Sequence, residues 1–368
     1  MASNVFRQLS AEGGLFADES VLRPEFMPDE LLGREREMRE LAGYLQEAAR
    51  GRAPPATLLI GPPGTGKTTT SKLLLKQLEE VSRKPLALYI NCWETPTRFG
   101  ILNALVIGLG DMLPRRGIAV DEVVARLNEI GRRQERIPIV VLDEADRLLA
   151  SPAHEDRVLY DLSRAQEALG LKVGLIAISN DTALPVKLDA RVRSSLTNHR
   201  IDFAPYNPAQ LKAILNERAG RAFRPGALDA EVVPLCAAVG AKAGGDARVS
   251  LHLLWAAGKK AESAGAKKVE VAHVKAAQSG GAVEEAATPA VRKTQGLDEM
   301  DARIIALISK AGKNGLESGE IYKDFGAGEN EQRNIRNRLL RLEKSGLIAG
   351  ETAPGGGNVR CWKLCQTA

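Results

Sequence analysis

The sequence predicts an α/β protein in which a parallel sheet flanked by helices is followed by a helical domain and a C-terminal winged helix-turn-helix. Two observations predict the sheet: a glycine-rich turn at 61–68 joins an apolar run to a helical pattern, and a second apolar run at 137–142 ends in acidic residues. Continuous apolar runs are typical of parallel strands that are buried on both faces. The third observation is that residues 208–278 show only helical apolar spacing, which predicts the helical domain.

The turn at 61–68 reads G-P-P-G-T-G-K-T and fits the phosphate-binding template G-x-x-x-x-G-K-S/T at every fixed position. It follows the apolar run 57–60, which predicts a strand, and it precedes 69–80, whose leucines mark one side of a helix. The template needs this context because the N-terminus of the helix attracts the negative charge of a phosphate. The sequence therefore predicts a phosphate loop at 61–68.

The residues of the phosphate loop have distinct predicted roles. Its three glycines let the backbone point N–H groups at a phosphate chain. Lys67 would reach the β- and γ-phosphates, and the Thr68 hydroxyl would ligate Mg²⁺. The loop residues predicted to hold the nucleotide are Gly61, Pro62, Pro63, Gly64, Thr65, Gly66, Lys67, Thr68 and Thr69.

The apolar run 137–142 is followed by the acidic cluster Asp143-Glu144-Ala145-Asp146. At the tip of a central strand, Asp143 would join Thr68 in holding Mg²⁺. Glu144 would then orient or deprotonate the attacking water. A glutamate at this position favours hydrolysis rather than nucleotide binding alone, so the sequence predicts an ATPase.

The remaining patterns predict the domain organisation. Predicted strands at 86–90, 172–179 and 199–203 alternate with helical stretches, which is typical of a three-layer fold with a parallel sheet. The predicted segments are a flexible N-terminal lead-in at 1–25, an α/β nucleotide-binding domain at 26–205, a helical lid at 206–280, a linker at 281–296 and a winged-helix domain at 297–368.

Composition narrows the class of protein. The chain has 368 residues, of which 44% are apolar and 26% charged, as in ordinary soluble globular proteins. No apolar stretch reaches the ~20 residues of a membrane span, and no signal peptide is recognisable, so we expect a cytoplasmic protein without a membrane partner. Four scattered cysteines indicate a reducing compartment. Their spacing, and the presence of only four histidines in the sequence, argue against a zinc site.

The C-terminal segment concentrates positive charge. Seven basic and two acidic residues between Arg333 and Lys363 give a local charge of +5, which equals the formal net charge of the whole chain. A local basic stripe is typical of a nucleic-acid partner. Three helical patterns and two strands around the turn Pro354-Gly-Gly-Gly-Asn358 predict the winged helix that would carry this stripe.

Three further segments carry a family resemblance: LDARVRSSL at 188–196, FAPYNPAQLKAILNERA at 203–219 and GGDARVSLHLLWAAGKKAE at 244–262. With them the chain resembles the AAA+ ATPases, and within these the archaeal origin-recognition initiators. Those proteins are relatives of the eukaryotic origin recognition complex subunits and of the licensing ATPase. The resemblance covers nearly the whole chain and implies an AAA+ P-loop domain with a helical lid and a DNA-binding winged helix.

The resemblance implies additional catalytic residues. Asn180 matches sensor 1, whose amide holds the attacking water or the γ-phosphate. Arg248 matches sensor 2, which reaches the γ-phosphate from the lid. Arg191 matches the arginine finger, with Arg193 as the alternative. The predicted catalytic set is Lys67, Asp143, Glu144, Asn180, Arg191 and Arg248, with ATP or ADP and Mg²⁺ as cofactors.

Two lid residues, Tyr206 and Arg218, align with residues that line the nucleotide pocket in the family. Tyr206 could pack on the base or ribose, or it could be a core tyrosine. Gly244, Gly245 and Val249 differ from the commoner lid pattern of the family. This departure leaves open whether the chain is a principal initiator or a divergent paralogue.

Two elements are expected to contact double-stranded DNA. In the helix at 329–344, Ile335, Leu339 and Leu342 share a core face, and the basic residues lie opposite, where they suit the major groove. The segment between the second strand and Asp143 matches an initiator-specific insertion of the family. The predicted DNA contacts are Arg333, Arg336, Asn337, Arg338, Arg341, Arg360, Thr97, Arg98, Arg115 and Arg116. A winged helix that serves protein contacts is the alternative.

Together these features predict an ATP-dependent replication initiator that binds double-stranded origin DNA in the cytoplasm, in association with the nucleoid. Slow ATP hydrolysis would act as a switch, and other initiator subunits and the replicative helicase would be partners. One alternative is a DNA-binding regulator acting at promoters. Another is a helicase-loader ATPase that does not read a DNA sequence.

Overall fold

The computed structural model describes residues 14–113, 118–150, 155–286, 300, 303–304, 307–308, 316–325, 329–344, 348–352 and 360–364. The chain divides into two compact units, Met1–Ala286 and Ala287–Ala368. The first unit holds a parallel sheet with many helices, and the second holds a small antiparallel sheet with helices.

The first unit is built on a parallel sheet of five strands: Thr57–Ile60 (β1), Pro85–Asn91 (β2), Ile137–Asp143 (β3), Gly174–Ser179 (β4) and Arg200–Asp202 (β5). Their order in the sheet is β2-β3-β4-β1-β5, and every neighbouring pair is parallel. The carboxyl ends of the strands therefore lie along one edge, which is where ligands bind in such sheets. The predicted α/β class with a parallel sheet is confirmed.

Helices connect the strands and make up the rest of this unit. In chain order they are Glu35–Ala49 (α1), Lys67–Val81 (α2), Arg98–Gly108 (α3), Val120–Gly131 (α4), Arg157–Ser163 (α5), Ala165–Ala168 (α6), Leu184–Lys187 (α7), Ala190–Leu196 (α8), Pro208–Ala222 (α9), Val232–Lys242 (α10), Ala247–Ser263 (α11), Val271–Ser279 (α12) and Ala282–Ala286 (α13). Within the described ranges, no helix combines the length and the apolar character needed to cross a membrane.

Local sequence sets the starts of the lid helices α9 and α11. Helix α9 begins with Pro208 at its first position, and Asn207 and Gln210 form a capping box. Helix α11 follows Asp246, whose side chain accepts a hydrogen bond from the Arg248 backbone N–H. Both helices start close to the carboxyl edge of the sheet: a short connection joins β5 to α9, and the N–H of Ala247, the first residue of α11, donates to the Gly64 carbonyl of the phosphate loop.

The sheet separates two hydrophobic cores. Successive residues of a strand point to opposite faces, so Val140 and Leu142 pack with α3, α4 and α5 on one face. Ile139 and Val141 pack with α1 and α2 on the other. All four side chains are fully buried. Burial on both faces explains why β3 appears in the sequence as an unbroken apolar run.

The N-terminal lead-in, expected to be flexible over 1–25, is packed on the lid from residue 14 onward. Leu15 donates its backbone N–H to Glu262 Oε1 at 3.0 Å. Glu19 forms an ion pair of 2.7 Å with Lys259. These contacts contradict the expected flexibility for the described part of this segment. The sequence did not indicate them because the partners lie far away along the chain. The residues before 14 lie outside the described ones.

Helix α13 lies in the stretch 281–296 that composition predicts as a linker. Its residues A-V-E-E-A favour a helix, and Ala282 and Val283 are buried. The flanking glycine and proline residues hid this short helical run in the sequence. Residues 287–296 lie outside the described ones.

The second unit contains a three-stranded antiparallel sheet and helices. Its strands are Leu316–Glu317 (β6), Ile348–Thr352 (β7) and Arg360–Leu364 (β8), in the order β6-β8-β7. Its helices are Ser318–Asp324 (α14) and Glu329–Lys344 (α15), and residues 300, 303–304 and 307–308 are also helical. The predicted core residues of α15, Ile335, Leu339 and Leu342, are buried beside Trp362.

Within the first unit, the buried arginine Arg34 joins the phosphate loop to the connection between sheet and lid. Its side chain is 3% exposed. Its Nε donates to the Thr65 carbonyl at 2.9 Å, and its terminal nitrogen donates to the Ala204 carbonyl at 2.5 Å. The guanidinium carbon lies 3.9 Å from the centroid of the Tyr206 ring. One planar side chain therefore satisfies two backbone acceptors and stacks on an aromatic ring, which a lysine could not do.

We expect Arg34→Ala to lower the free energy of unfolding by about 3 kcal/mol, because it removes the donor to the buried Thr65 carbonyl and to the partly buried Ala204 carbonyl and leaves Glu37 without its ion pair. Arg39→Ala on the exposed side of the same helix is the matched control, since Arg39 bonds only the Glu35 carbonyl. The control should stay within about 0.5 kcal/mol of wild type. Urea unfolding followed by circular dichroism measures both, and equal losses in the two variants would contradict this account.

Candidate nucleotide-binding site

A cleft of about 330 Å³ lies where the carboxyl edge of the sheet meets the lid. The phosphate loop forms its floor, the ends of β3 and β4 form one wall, and helices α9 and α11 with residues 23–32 form the other. The predicted site residues that line it are Pro63, Gly64, Thr65, Gly66, Lys67, Thr68, Thr69, Asp143, Glu144, Asn180, Tyr206, Arg218 and Arg248. Sequence prediction thus found residues that the fold brings together from distant parts of the chain.

The phosphate loop needs its glycines for two separate reasons. Gly64 and Gly66 have φ values of 70° and 92°, in the region that favours glycine. In addition, a Cβ at Gly64 would overlap the Asp246 carboxylate, and a Cβ at Gly66 would lie 2.8 Å from the Tyr206 hydroxyl. The lid therefore approaches the loop so closely that side chains at these positions have no room.

Lys67 lies inside the phosphate loop. Its Nζ donates to the carbonyls of Gly61 and Pro62, each at 2.7 Å. Burial lowers the pKa of Lys67 to about 8, although the nearby Asp143 carboxylate acts in the opposite direction. An ammonium held on two neutral carbonyls, and destabilised by burial, is well placed to be stabilised by an anion.

Thr68 and Asp143 meet across the cleft. The Thr68 hydroxyl donates to Asp143 Oδ2 at 2.9 Å, and the Tyr89 hydroxyl makes a very short contact with the same oxygen. Burial raises the pKa of Asp143, and the Thr68 hydrogen bond partly offsets this effect. A hydroxyl and a carboxylate are hard oxygen ligands, so this donor set fits Mg²⁺. The sequence analysis missed Tyr89, since an aromatic residue in an edge strand gives no sign of this contact.

Glu144 stands directly after β3 with a left-handed backbone. Its φ of 56° is the only positive value at a non-glycine residue in the described part of the chain. Such a conformation is strained for an L-residue and is held by its surroundings. Burial raises the pKa of Glu144, with the neighbouring Asp143 and Asp146 carboxylates adding to the effect. A carboxylate with a raised pKa is a better acceptor of a proton from water.

Asn180 follows β4, and Asp146 fixes its position. The Asp146 carboxylate accepts a hydrogen bond of 2.8 Å from the Ser179 hydroxyl and one of 3.4 Å from the Asn180 backbone N–H. The third acidic residue of the cluster therefore ties the tip of β4 to the end of β3. The sequence analysis gave Asp146 no role, because its contact depends on the order of strands in the sheet.

The lid contributes Arg218, Tyr206 and Arg248. Arg218 donates to the Val21 carbonyl at 3.2 Å, and its guanidinium carbon lies 4.3 Å from the Phe26 ring centroid. Burial lowers the pKa of Arg218. The side chain of Tyr206 stacks on the Arg34 guanidinium and the residue is 3% exposed, which favours the alternative of a core tyrosine that shapes the wall.

Arg248 is held by Asp246 at the start of α11. Its Nε and a terminal nitrogen lie 3.2 Å and 3.0 Å from the two carboxylate oxygens. The Arg248 side chain is 41% exposed and that of Asp246 is 3% exposed. The Arg248 side chain therefore lines the cleft while its guanidinium is paired with the buried Asp246 carboxylate. Asp246 was not among the predicted site residues.

The two arginine-finger candidates, Arg191 and Arg193, lie away from this cleft. Both are exposed on α8, and neither lines the cleft of its own chain. The structure therefore does not distinguish between the two candidates.

Two of the four candidate DNA contacts of the first unit, Thr97 and Arg98, have partners within the fold. Thr97 caps α3 by accepting from the Gly100 N–H at 3.1 Å. Arg98 is paired with Asp161 at 2.6 Å, and its side chain is 17% exposed. These contacts give both residues a structural role and weigh against DNA contact. Arg115 and Arg116 lie outside the described residues.

In the second unit, Arg336 and Asn337 are exposed on α15. Arg338 donates to Asn334 Oδ1 at 3.2 Å, and Arg360 pairs with Glu343 at 2.9 Å. The backbones of 333 and 341 are in α15, and their side chains lie outside the described ones. The predicted basic residues of the second unit are thus carried by one helix and the first residue of β8.

Comparison with known proteins assigns the family. The Cdc6 AAA+ ATPase-type lid domain matches residues 212–279, and an AAA domain matches residues 50–180. The ORC1-type DNA replication protein of Thermococcus kodakarensis is 35% identical, over 96% of this chain and 88% of its own length. That of Pyrococcus furiosus is 38% identical, over 96% of this chain and 87% of its own length.

A solved structure agrees with these relatives. The Aeropyrum pernix ORC1 protein in complex with DNA is 33% identical, with a TM-score of 0.69, and the match covers 95% of this chain and 94% of that one. The resemblance to AAA+ ATPases, and to archaeal initiators among them, is confirmed. On sequence, lid and fold together, the chain belongs to the ORC1-type DNA replication protein family of archaeal AAA+ ATPases.

Proposed function

We propose that this protein is an ATP-dependent DNA replication initiator that binds double-stranded origin DNA. One observation carries the proposal: in a chain of the ORC1-type family, a single cleft gathers the phosphate loop, the acidic end of β3, Asn180 and the lid residue Arg248. The Aeropyrum pernix relative was solved in complex with DNA, which supports DNA as the partner.

In the proposed reaction, the triphosphate of ATP lies along the phosphate loop and Lys67 neutralises its β- and γ-phosphates. Thr68 and Asp143 would hold Mg²⁺, and the ion would supply positive charge that stabilises the phosphate oxygens. Glu144 orients or deprotonates the attacking water, and Asn180 holds that water or the γ-phosphate. The products are ADP and phosphate.

Hydrolysis is proposed to be slow and to act as a switch. Arg248 belongs to the lid, so a contact between its guanidinium and the γ-phosphate makes the position of the lid depend on the nucleotide. Arg191 and Arg193 lie outside their own cleft. A single chain therefore lacks a finger arginine for the transition state until another subunit supplies one, which supports a slow rate.

DNA binding is assigned to the second unit as a winged helix-turn-helix. Two helices of this unit, α14 and α15, pack with its antiparallel sheet, and α15 buries one face in the core. The basic residues of the opposite face would enter the major groove, while flanking arginines reach phosphates. The proposed contacts are Arg333, Arg336, Asn337, Arg338, Arg341 and Arg360.

The proposed partners beyond DNA are other initiator subunits and the replicative helicase, whose recruitment would follow binding at an origin. An exposed arginine on α8 suits insertion into the cleft of a neighbouring subunit. Because the DNA that this protein binds would be chromosomal, we propose that the protein acts in the cytoplasm, on the nucleoid. A paralogue that regulates promoters is the second candidate, since the departures at Gly244, Gly245 and Val249 leave open whether the chain is a principal initiator.

We expect Glu144→Gln to reduce ATP hydrolysis by roughly 100-fold or more while nucleotide affinity stays close to that of wild type, because the amide cannot accept a proton. Lys67→Ala should lose affinity itself. Lys76→Ala, on the exposed side of the same helix α2, is the control and should change neither quantity. Phosphate release and fluorescent-nucleotide titration measure the two effects; wild-type hydrolysis by Glu144→Gln would refute the role of Glu144.

The pKa of Lys67 predicts a pH dependence of binding. Because the folded-state pKa of about 8 lies below the unfolded value of 10.5, Lys67 loses its proton early and the affinity for a non-hydrolysable ATP analogue should fall as pH rises above about 8. Stability should change in the opposite direction. The charged lysine costs free energy below pH 8, and that cost fades as pH rises toward 10.5.

Calorimetric titration at several pH values between about 7 and 9.5, with Glu144→Gln as the binding-competent background, tests this dependence. A dissociation constant that does not change across the interval would show that Lys67 keeps its proton throughout.

Sequence-specific binding should depend on α15. We expect Arg333→Ala/Arg341→Ala to abolish sharp peaks of chromosomal DNA binding at replication start sites. In vitro, loss of two major-groove contacts should cost about 1–3 kcal/mol each and weaken the preference for the specific site. Lys242→Ala/Lys267→Ala removes the same charge from exposed positions of the first unit and serves as the control.

Genome-wide mapping of bound DNA in cells separates the remaining candidates. Wild-type peaks at promoters would identify the regulator. A diffuse signal that the Arg333→Ala/Arg341→Ala variant does not change would mean that α15 does not read DNA, and would favour the loader ATPase.

A further inference from the structure

Asp246 is a buried carboxylate that lies beside the nucleotide cleft, in contact with the phosphate loop and with Arg248, which lines the cleft. Its side chain is 3% exposed. Its Oδ1 accepts from Arg248 Nε at 3.2 Å, and its Oδ2 accepts from an Arg248 terminal nitrogen at 3.0 Å. A two-point pair between a carboxylate and a planar guanidinium sets the direction of the guanidinium as well as its position.

The same carboxylate also begins helix α11. Its Oδ1 accepts from the Arg248 backbone N–H at 2.9 Å. Asparagine and aspartate are about equally good in this capping position, so the cap does not need the negative charge. Only the pair with the Arg248 side chain needs it, and a single substitution can therefore separate the two contacts.

Asp246 lies directly on the phosphate loop. The Ala247 N–H donates to the Gly64 carbonyl at 3.2 Å, and a Cβ at Gly64 would overlap the Asp246 carboxylate. The loop, the start of α11 and the Arg248 guanidinium are thus connected through consecutive contacts. A shift of the loop on phosphate binding would move Asp246 and, with it, the guanidinium.

We propose that Asp246 is a positioning residue that aims Arg248 at the terminal phosphate, so that discrimination between ATP and ADP depends on this carboxylate. The proposal rests on the proposed function, in which Arg248 contacts the γ-phosphate. The negative charge of Asp246 makes this proposal testable, because positioning and direct repulsion predict opposite effects of removing it. A carboxylate repels phosphates, so removing its charge alone would strengthen binding of both nucleotides and would not reduce the preference for ATP.

The test uses the full chain and the ratio of its dissociation constants for ADP and a non-hydrolysable ATP analogue, both with Mg²⁺. Asp246→Asn should reduce the preference for the ATP analogue by roughly tenfold, to the level of Arg248→Ala, while the thermal midpoint stays near wild type because the cap remains. In the double variant, Asp246→Asn should change the ratio no further, as expected when one residue acts through the other.

Arg248→Lys is an independent check that leaves Asp246 intact. A lysine keeps the charge but cannot make the two-point pair, so it should lose most of the preference for the ATP analogue. Asp246→Ala removes both contacts and should also lower the thermal midpoint. This pattern distinguishes a positioning role from a purely structural one, in which the Asn variant would behave as wild type.

Three outcomes would overturn the proposal. If Arg248→Ala loses the preference and Asp246→Asn keeps it, the carboxylate only caps the helix, and the proposed function stands. If Asp246→Asn lowers the ratio further in the Arg248→Ala background, it acts independently of Arg248. If Arg248→Ala itself keeps the wild-type preference, the assignment of Arg248 to the γ-phosphate fails, and the role of Asp246 fails with it.

Discussion

Direct contact between the lid and the phosphate loop is the constraint on which the nucleotide site depends. Two consecutive loop carbonyls, those of Gly64 and Thr65, accept hydrogen bonds from the Ala247 N–H and from Arg34 Nε. The loop is therefore held from both sides, by the lid and by the start of α1. A glycine template that is usually explained by phosphate binding alone here also provides the space in which the lid docks.

The buried charged groups of the cleft, Lys67 and Asp143, are placed so that a nucleotide with its metal ion would supply the opposite charge that each of them needs. Burial lowers the pKa of Lys67 and raises that of Asp143, so folding disfavours the charged form of each group. A ligand that brings phosphates to Lys67 and a cation to Asp143 offsets both effects. Ligand binding and fold stability are then linked, since whatever binds the folded chain selectively also stabilises it.

Local patterns in the sequence predicted which residues meet in the cleft, whereas contacts between distant parts of the chain left no such pattern. Lys67 and Asp143 were found because a template and a strand end place them, whatever the rest of the fold. The contacts of Arg34 were not predicted, since its partners Thr65 and Ala204 are distant in the sequence and only the folded chain brings them near. Arg98 was predicted to contact DNA because its segment resembles the insertion of the family, and its pair with Asp161, 63 residues further along the chain, left no local pattern in the sequence. The parallel sheet was predictable because strands that are buried on both faces appear in the sequence as continuous apolar runs.

The packing of the N-terminal segment on the lid has a consequence for how the chain is made. Leu15 and its partner Glu262 are 247 residues apart in the sequence, and residues 23–32, just after this anchor, form a wall of the cleft. During synthesis from the N-terminus, the sheet can form before the lid exists, but that wall cannot be fixed until the lid has emerged. Closing such a distant contact is entropically costly and slow. A ribosome-bound chain that ends before α11 would therefore carry a folded phosphate loop without a finished nucleotide site.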